Sequence, residues 1–146
     1  MNAFKYRERD ILTSAAKRLK RHIDDGMDSF DAFNVVQHHL VHVGFAYIER
    51  IILEQFLKQI ETTKDPGCKA ILTKLCHLFS LSQMDHNKGW YLENGYMDGV
   101  KTKAIRKLVN QLCWEIRQEA VPLVDAFRIP DSCLAAPVAV RNLHPL

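Results

Sequence analysis

Hydrophobic residues recur every three or four positions between Ser29 and Lys64, and this spacing predicts one long helix. The stretch contains no proline and a single glycine, Gly44. Two apolar rows run along it: Phe30, Phe33, Val36, Leu40, Val43, Tyr47 and Ile51, and beside them Val41, Phe45, Ile48, Ile52 and Phe56. Because two apolar rows need cover on more than one side, we expect this helix to lie at the centre of the fold.

The same spacing predicts a helix before it, from Phe4 to about Asp25, that is stopped by Asp24-Asp25-Gly26. Its buried side is expected to comprise Phe4, Leu12, Ala15, Leu19 and Ile23. Asp28 or Ser29 is the expected N-cap of the long helix.

Two more helices are predicted after the long one. Asp65 and Pro66 are typical of an N-cap followed by proline at the first helical position, and the helix they open continues to about Met84. The last helix begins near Gly99 or Val100 and extends to about residue 127. Pro122 should kink it or loosen its final turn.

A connection rich in glycine and aromatic residues, from His86 to Gly99, precedes the last helix. Its glycines match neither GxGxxG nor a P-loop, which argues against a nucleotide cradle. We expect Trp90, Tyr91 and Tyr96 to pin a loop or short helical turn onto the core, with a ligand-stacking platform as the alternative.

Together these elements predict an all-α, up-and-down four-helix bundle with an extended C-terminal tail. The expected domain organisation is a single helical domain over residues 1–146, with the bundle at about 4–129 and the tail at 130–146. The apolar run at 133–140 is expected to pack back across the bundle in extended form.

Composition narrows the class of protein further. Hydrophobic residues at 47% and charged residues at 25% exclude wholesale disorder, and a net charge of +3 is too small for a dedicated nucleic-acid binder. No apolar run approaches the length of a membrane span, and the charged N-terminus does not resemble a secretory signal. The four cysteines lack CxxC spacing and indicate reduced, buried thiols in an intracellular protein.

Two basic clusters and one histidine cluster are the candidate chemical features. Both Lys17 to His22 and Lys101 to Lys107 are typical of solvated helix faces. The open alternatives are contact with a phosphate for the first cluster and an anion or partner surface for the second. The histidine cluster comprises His38, His39 and His42, of which His38 and His42 are spaced for a shared metal. The glutamate of HExxH is absent, which favours polar surface histidines. Further along the long helix, the charged residues expected to pair along or between helices are Glu49, Arg50 and Glu54.

Several short sequence blocks occur in a characteristic order along the chain. The first are LTSAAKRL (12–19), SFDAFN (29–34), AYIER (46–50) and LEQF (53–56). They are followed by GWYLE (89–93), KAIR (103–106), LVDAFRIPD (123–131) and LAAPVA (134–139). This ordered set, over about residues 4–139, resembles the C-terminal region of acyl-CoA oxidases.

The resemblance implies the second helical domain that ends an acyl-CoA oxidase subunit, with a structural and subunit-interface role. In that family FAD takes electrons from an acyl-CoA to give a trans-2-enoyl-CoA, O₂ is reduced to H₂O₂, and a glutamate abstracts the α-proton. Those catalytic and flavin-binding residues lie in preceding domains, so we assign no catalytic, cofactor-binding or metal residue here and expect no cofactor in this chain alone.

The resemblance also implies the remaining oxidase domains or a second subunit as partners, and a peroxisomal location. The C-terminal His144-Pro145-Leu146 departs from the Ser-Lys-Leu type of import signal. Two alternatives remain open: a stand-alone helical interaction module that assembles with separate partners, and a helical protein that binds anions or nucleic acid.

Overall fold

The computed structural model describes residues 1–130 and Cys133, and within this part of the chain it contains helices and no strands. Six α-helices follow in order: α1 Asn2–Asp24, α2 Ser29–Thr62, α3 Pro66–His86, α4 Lys88–Glu93, α5 Gly99–Ile116 and α6 Ala120–Asp125. A 3₁₀ segment, Arg117–Glu119, joins α5 to α6.

The four long helices α1, α2, α3 and α5 pack in sequence order, α1 on α2, α2 on α3 and α3 on α5. This confirms the predicted all-α, up-and-down fold with four main helices. Except for Pro130 and Cys133, the expected extended tail at 130–146 lies outside the described residues.

The predicted N-caps are confirmed. The Asp28 carboxylate accepts hydrogen bonds from the amides of Phe30 and Asp31 at the start of α2. The Asp65 carboxylate accepts one from the Cys68 amide, at 2.6 Å, at the start of α3. Each carboxylate satisfies backbone donors that the first turn of a helix leaves unpaired.

The core consists of two apolar clusters. Phe4, Leu53 and Cys76 bring α1, α2 and α3 together in the first cluster. The second cluster comprises Tyr91, Met97 and Ile105, from α4, the following loop and α5. Ala3 and Met84 contact both clusters and so connect them.

The expectation that α2 is covered on more than one side is wrong within this structure. Its buried residues are Ala32, Val36, Ala46 and Leu53, on the side that α1 and α3 contact. The second apolar row is largely exposed, with Val41, Phe45 and Ile48 each more than half accessible. Two neighbouring helices can shield only one side of a helix, so the other side stays open.

The predicted buried side of α1 also needs correction. Phe4 and Ala15 are buried, but Leu12 and Ile23 are exposed, and Arg7 is buried instead. The spacing of apolar residues predicted the helix correctly. It did not show how far the neighbouring helices extend along α1, and that extent decides which of its residues are covered.

Two further expectations have mixed outcomes. The last helix is interrupted at Arg117–Glu119, as expected from Pro122. The cause is that proline has no N–H to donate to the Gln118 carbonyl. All four cysteines are free, but only Cys76 is buried, so the expectation of buried thiols is wrong for Cys68, Cys113 and Cys133. None of the described helices is long and apolar enough to cross a membrane.

Candidate functional site

A buried polar network joins α1, α2 and the corner between α3 and α4. The Arg7 side chain is 4% exposed, and its Nη1 donates to Glu49 Oε2 at 2.6 Å. Its Nη2 donates to Asn87 Oδ1 at 2.8 Å, whereas its Nε is buried with no partner within the described part of the chain. A guanidinium held from two sides in this way fixes the positions of three elements relative to one another.

A second ionic cluster lies directly beside the first on the same two helices, since Glu8 follows Arg7 and Arg50 follows Glu49 in the sequence. Arg50 donates to Glu8 of α1 and, at 2.7 Å, to Glu54 on its own helix. The hydrogen bond with Glu8 raises the pKa of the Arg50 guanidinium, and the group also lies 5.2 Å from the centre of the Tyr47 ring. The predicted pairing of Glu49, Arg50 and Glu54 is therefore confirmed.

The glycine-aromatic connection pins α4 to the core, as predicted. Tyr91 is 1% exposed, and burial raises the pKa of its phenol to about 12. Tyr6 of α1 stacks on Tyr96 with 5.3 Å between ring centres and lies 5.7 Å from the ring centre of Trp90. These contacts account for the aromatic residues as packing groups, although Trp90 also faces a cleft.

That cleft, which we call the histidine cleft, opens between α1, α2 and the α3–α4 corner and has a volume of about 570 Å³. Its lining comprises Arg7, Asp10, Ile11, Ser14, Arg18, His39, His42, His86, Asn87, Gly89, Trp90, Glu93 and Asn94. Two of the three histidines singled out in the sequence, His39 and His42, therefore reach one cavity with His86.

The histidine cluster on α2 is compact. The rings of His38 and His39 lie 3.8 Å apart between centres. Burial lowers the pKa of His39, and the neighbouring His38, Arg18 and His42 lower it further. Over residues 1–130 and Cys133, the structure places no three histidine, cysteine, aspartate or glutamate side chains where they could hold a metal ion.

The two basic clusters have different surroundings. Lys17, Arg18 and Arg21 line a shallow depression on α1, next to the histidine cleft, while Lys20 pairs with Asp24 at 2.6 Å. On α5, Arg106 lies 3.7 Å from Asp85 of α3, whereas Lys101, Lys103 and Lys107 are exposed.

The open side of α2 forms a continuous hydrophobic surface, which we call the α2 apolar face. It comprises Val41, Phe45, Ile48 and Ile52, which are 55%, 58%, 52% and 37% exposed. These residues follow helical spacing over three turns, so their side chains lie on one face. An ordered run of large apolar side chains at the surface is typical of an interaction site.

The sequence interpretation missed Arg7 and Asn87. Arg7 follows Phe4 by three residues and therefore falls on the buried side of α1, a position at which an arginine requires a partner. That spacing was the available signal. Nothing in the local sequence around Asn87 indicates its contact with a residue eighty positions earlier.

Known proteins share the sequence pattern of this chain. The model of the family described as acyl-CoA oxidase matches residues 1–142. The chain belongs to the acyl-CoA oxidase family. It is 34% identical over 142 residues to acyl-coenzyme A oxidase 2, peroxisomal, of Arabidopsis thaliana, covering 97% of this chain and 20% of that protein. It is 30% identical to the acyl-coenzyme A oxidase-like protein of Mus musculus, covering 94% of this chain and 22% of that protein.

Solved structures share the fold. Acyl-CoA oxidase-1 of Caenorhabditis elegans, solved with FAD and ATP, has a TM-score of 0.82 at 22% identity, covering 88% of this chain and 20% of that one. Acyl-CoA oxidase3 of Yarrowia lipolytica has a TM-score of 0.80 at 20% identity, covering 94% of this chain and 20% of that one. The chain therefore spans about a fifth of the length of the relatives it matches, and FAD is a cofactor of the family's full-length enzymes.

Proposed function

We propose that residues 1–146 form the C-terminal helical domain of an acyl-CoA oxidase, a single domain with the bundle at about 4–129 and the tail at 130–146. Its role is to cover the catalytic domains and to supply subunit-interface surface, and by itself it does not catalyse. Family membership supports the assignment. The contact of Ala3 and Met84 with both core clusters supports one domain.

The α2 apolar face is the observation that carries this proposal. Each large apolar side chain contributes about 1.5–3 kcal/mol when it moves from water to a fully buried position. Ile48 and its neighbours gain only part of this free energy in the chain alone, since they are about half exposed. Contact with another oxidase domain or a second subunit, in our proposal a homodimer, would supply the missing burial.

The chemistry of the full enzyme is assigned to the other domains. There FAD would accept electrons from the acyl-CoA, O₂ would be reduced to H₂O₂, and a glutamate would abstract the α-proton. The best-shielded glutamates of this chain support that division, because Glu8, Glu49 and Glu54 each accept a hydrogen bond from an arginine. A carboxylate that is engaged with a guanidinium is poorly placed to reach a substrate.

The cellular setting is also a proposal. Relatives from Arabidopsis thaliana and Homo sapiens are named as peroxisomal acyl-coenzyme A oxidases. A chain that forms part of such an enzyme would work in the peroxisome, in the oxidation of fatty acyl-CoA.

The test uses the purified chain and an acyl-CoA oxidase polypeptide that carries the flavin and glutamate domains but lacks this segment. We expect no flavin absorbance and no peroxide from acyl-CoA with the chain alone, and co-purification of the two polypeptides. Ile48→Glu should abolish co-purification, because a charge cannot be buried unpaired in an apolar contact. Asn110→Glu, which adds the same charge at an exposed position on α5, away from the α2 apolar face, is the matched control.

Two outcomes would contradict the proposal. Bound flavin or peroxide production by the chain alone would show that it is catalytic. Equal co-purification of the wild-type chain and the Ile48→Glu variant would show that the α2 apolar face is not the contact surface.

A further inference from the structure

We propose that the histidine cleft binds a small phosphate-bearing anion, and that binding tightens as its imidazoles take up protons. This site is separate from the α2 apolar face, and the proposal does not depend on the domain role described above. The ligand class follows from the size of the cleft, the donors that line it and the balance of charge across it.

The cleft has the dimensions of a small-molecule site. Its volume of about 570 Å³ falls within the range of roughly 300–1,000 Å³ that is usual for ligand pockets. Three long helices and α4 contribute walls, so the cavity is held by elements that the Arg7 network already fixes. A cavity framed by fixed elements can hold its donors in place before a ligand arrives.

Several donors in the lining have no partner among the described residues. Within residues 1–130, no carboxylate lies within ion-pair distance of Arg18, and the imidazoles of His39, His42 and His86 make no hydrogen bond to any described residue. Arg7 adds a buried Nε–H that likewise has no partner in the described part of the chain. Guanidinium and imidazolium groups are the donors that phosphate oxygens favour, and arginine can offer two parallel N–H groups.

The charge of the cleft depends on its histidines. The positive charge of Arg7 is neutralised by Glu49, and two carboxylates, Asp10 of α1 and Glu93 of α4, oppose Arg18. With neutral imidazoles the cleft therefore has no excess of positive charge. Protonation of the imidazoles contributed by α2 and the end of α3 reverses this balance and creates an anion site.

The surroundings of His39 disfavour an uncompensated positive charge on its ring. Burial lowers its pKa, followed by the positive charges at His38, Arg18 and His42. A bound phosphate would supply the opposite charge and favour the imidazolium. Proton uptake and anion binding are therefore linked, and each strengthens the other.

Trp90 gives the cleft both a second recognition element and a reporter. Its indole lines the cavity beside Gly89 and can stack on a planar group attached to the phosphate. The other tryptophan, Trp114, is 71% exposed on α5 and can be removed at little structural cost. In a Trp114→Phe background, the fluorescence of the protein therefore reports on the cleft.

The experiment titrates the full Trp114→Phe chain with inorganic pyrophosphate while Trp90 fluorescence is recorded. We expect saturable binding whose affinity rises on the order of tenfold between pH 8 and pH 6, as proton linkage through the imidazoles requires. ADP is titrated in parallel to distinguish the source of the phosphate. Tighter binding of ADP would indicate a nucleotide and equal binding a free phosphate, and either result supports the site.

Three variants locate the binding. Arg18→Gln should weaken pyrophosphate binding about tenfold at both pH values, since it removes one charge-assisted contact. His39→Gln should flatten the pH dependence. Lys103→Gln removes an exposed charge on α5, outside the cleft, and should change neither.

Circular dichroism establishes that each variant is folded, and Arg18 is exposed, so its replacement leaves the core intact. Absence of pyrophosphate binding at pH 6, a pH dependence that His39→Gln leaves unchanged, or an equal loss in the Lys103→Gln variant would each overturn the proposal.

Discussion

Arg7 and Glu49 face each other across the contact between α1 and α2, joined by a 2.6 Å hydrogen bond between opposite charges. Arg7 is 4% exposed and Glu49 15%, so water screens the pair little. Neither residue can rotate away without leaving a buried charge unpaired. The pair therefore selects one rotational setting of α1 on α2, which apolar packing alone would define less sharply.

Arg7→Met should lower the free energy of unfolding by about 3 kcal/mol, because it leaves the Glu49 carboxylate without its partner. Urea denaturation followed by circular dichroism measures the change. Arg9→Met, on the exposed side of the same helix, should lie within about 0.5 kcal/mol of wild type. The double variant Arg7→Met/Glu49→Gln should recover part of the loss. Equal stability of the Arg7→Met and Arg9→Met variants would contradict this account of the pair.

Phe45→Gln combined with Ile48→Gln should reduce binding of an apolar fluorescent dye without lowering the urea midpoint. Both side chains are more than half exposed, so little burial is lost on substitution. Leu53→Gln, which places the same amide in the first core cluster, should cost about 3 kcal/mol and serves as the contrast. A large drop in stability for the surface pair would mean that the α2 apolar face is covered within this chain.

Two glycine-to-alanine changes should shift stability in opposite directions. Gly95 follows α4 with φ +64°, and the amide of Tyr96 bonds back to the Tyr91 carbonyl at 2.9 Å, a helix-ending turn that favours glycine. Gly95→Ala should cost about 1 kcal/mol through backbone strain alone, since a Cβ there meets no atom within 4 Å.

Gly44 lies inside α2, and a Cβ there also meets open space. Gly44→Ala should therefore stabilise the protein by about 0.5–1 kcal/mol, since alanine loses less backbone entropy in a helix. Thermal unfolding of both variants measures the two changes in stability. Changes of the same sign at the two positions would contradict the backbone argument.

Alkaline pH should destabilise the fold through Tyr91. Burial raises its pKa from the ordinary 10.0 to about 12, so the folded chain retains a proton that the unfolded chain releases. This stabilisation is complete below pH 10 and is lost as pH rises toward about 12. The midpoint of urea denaturation should fall over this interval in wild type and in Tyr47→Phe, and less in Tyr91→Phe. An ultraviolet titration in which all four tyrosines ionise together would contradict the raised pKa of Tyr91.

The sequence was a good guide to the elements and a poor guide to their outer surfaces. Asp28 and Asp65 act through the first turn of a helix, and Pro122 acts through its missing N–H. Because these effects are local, they could be predicted without knowledge of the fold. The exposure of Phe45 could not, because the apolar spacing says which residues need cover and not whether this chain supplies it. Arg7 and Asn87 were missed because their contact depends on how α1 approaches the end of α3.

The same limit applies to the histidine cleft. The sequence showed His38, His39 and His42 as neighbours on one helix, and the fold then separated them by role: His39 and His42 line the cavity with His86, while the His38 ring packs at a tilt against the His39 ring. Spacing within a helix gives the side on which residues lie, but a cavity also requires the partner helices to be placed.

The shared position of Ala3 and Met84 has a consequence for how the fold opens. Both residues contact the cluster of Phe4 and the cluster of Tyr91. Loosening one of these two clusters therefore removes packing contacts from the other cluster. We expect amides in the middle of α1, α3 and α5 to exchange with deuterium at one common rate, set by a single opening event, while those of α6 exchange far sooner. The methyl group of Ala3, near the start of α1, thus helps the helices to open together.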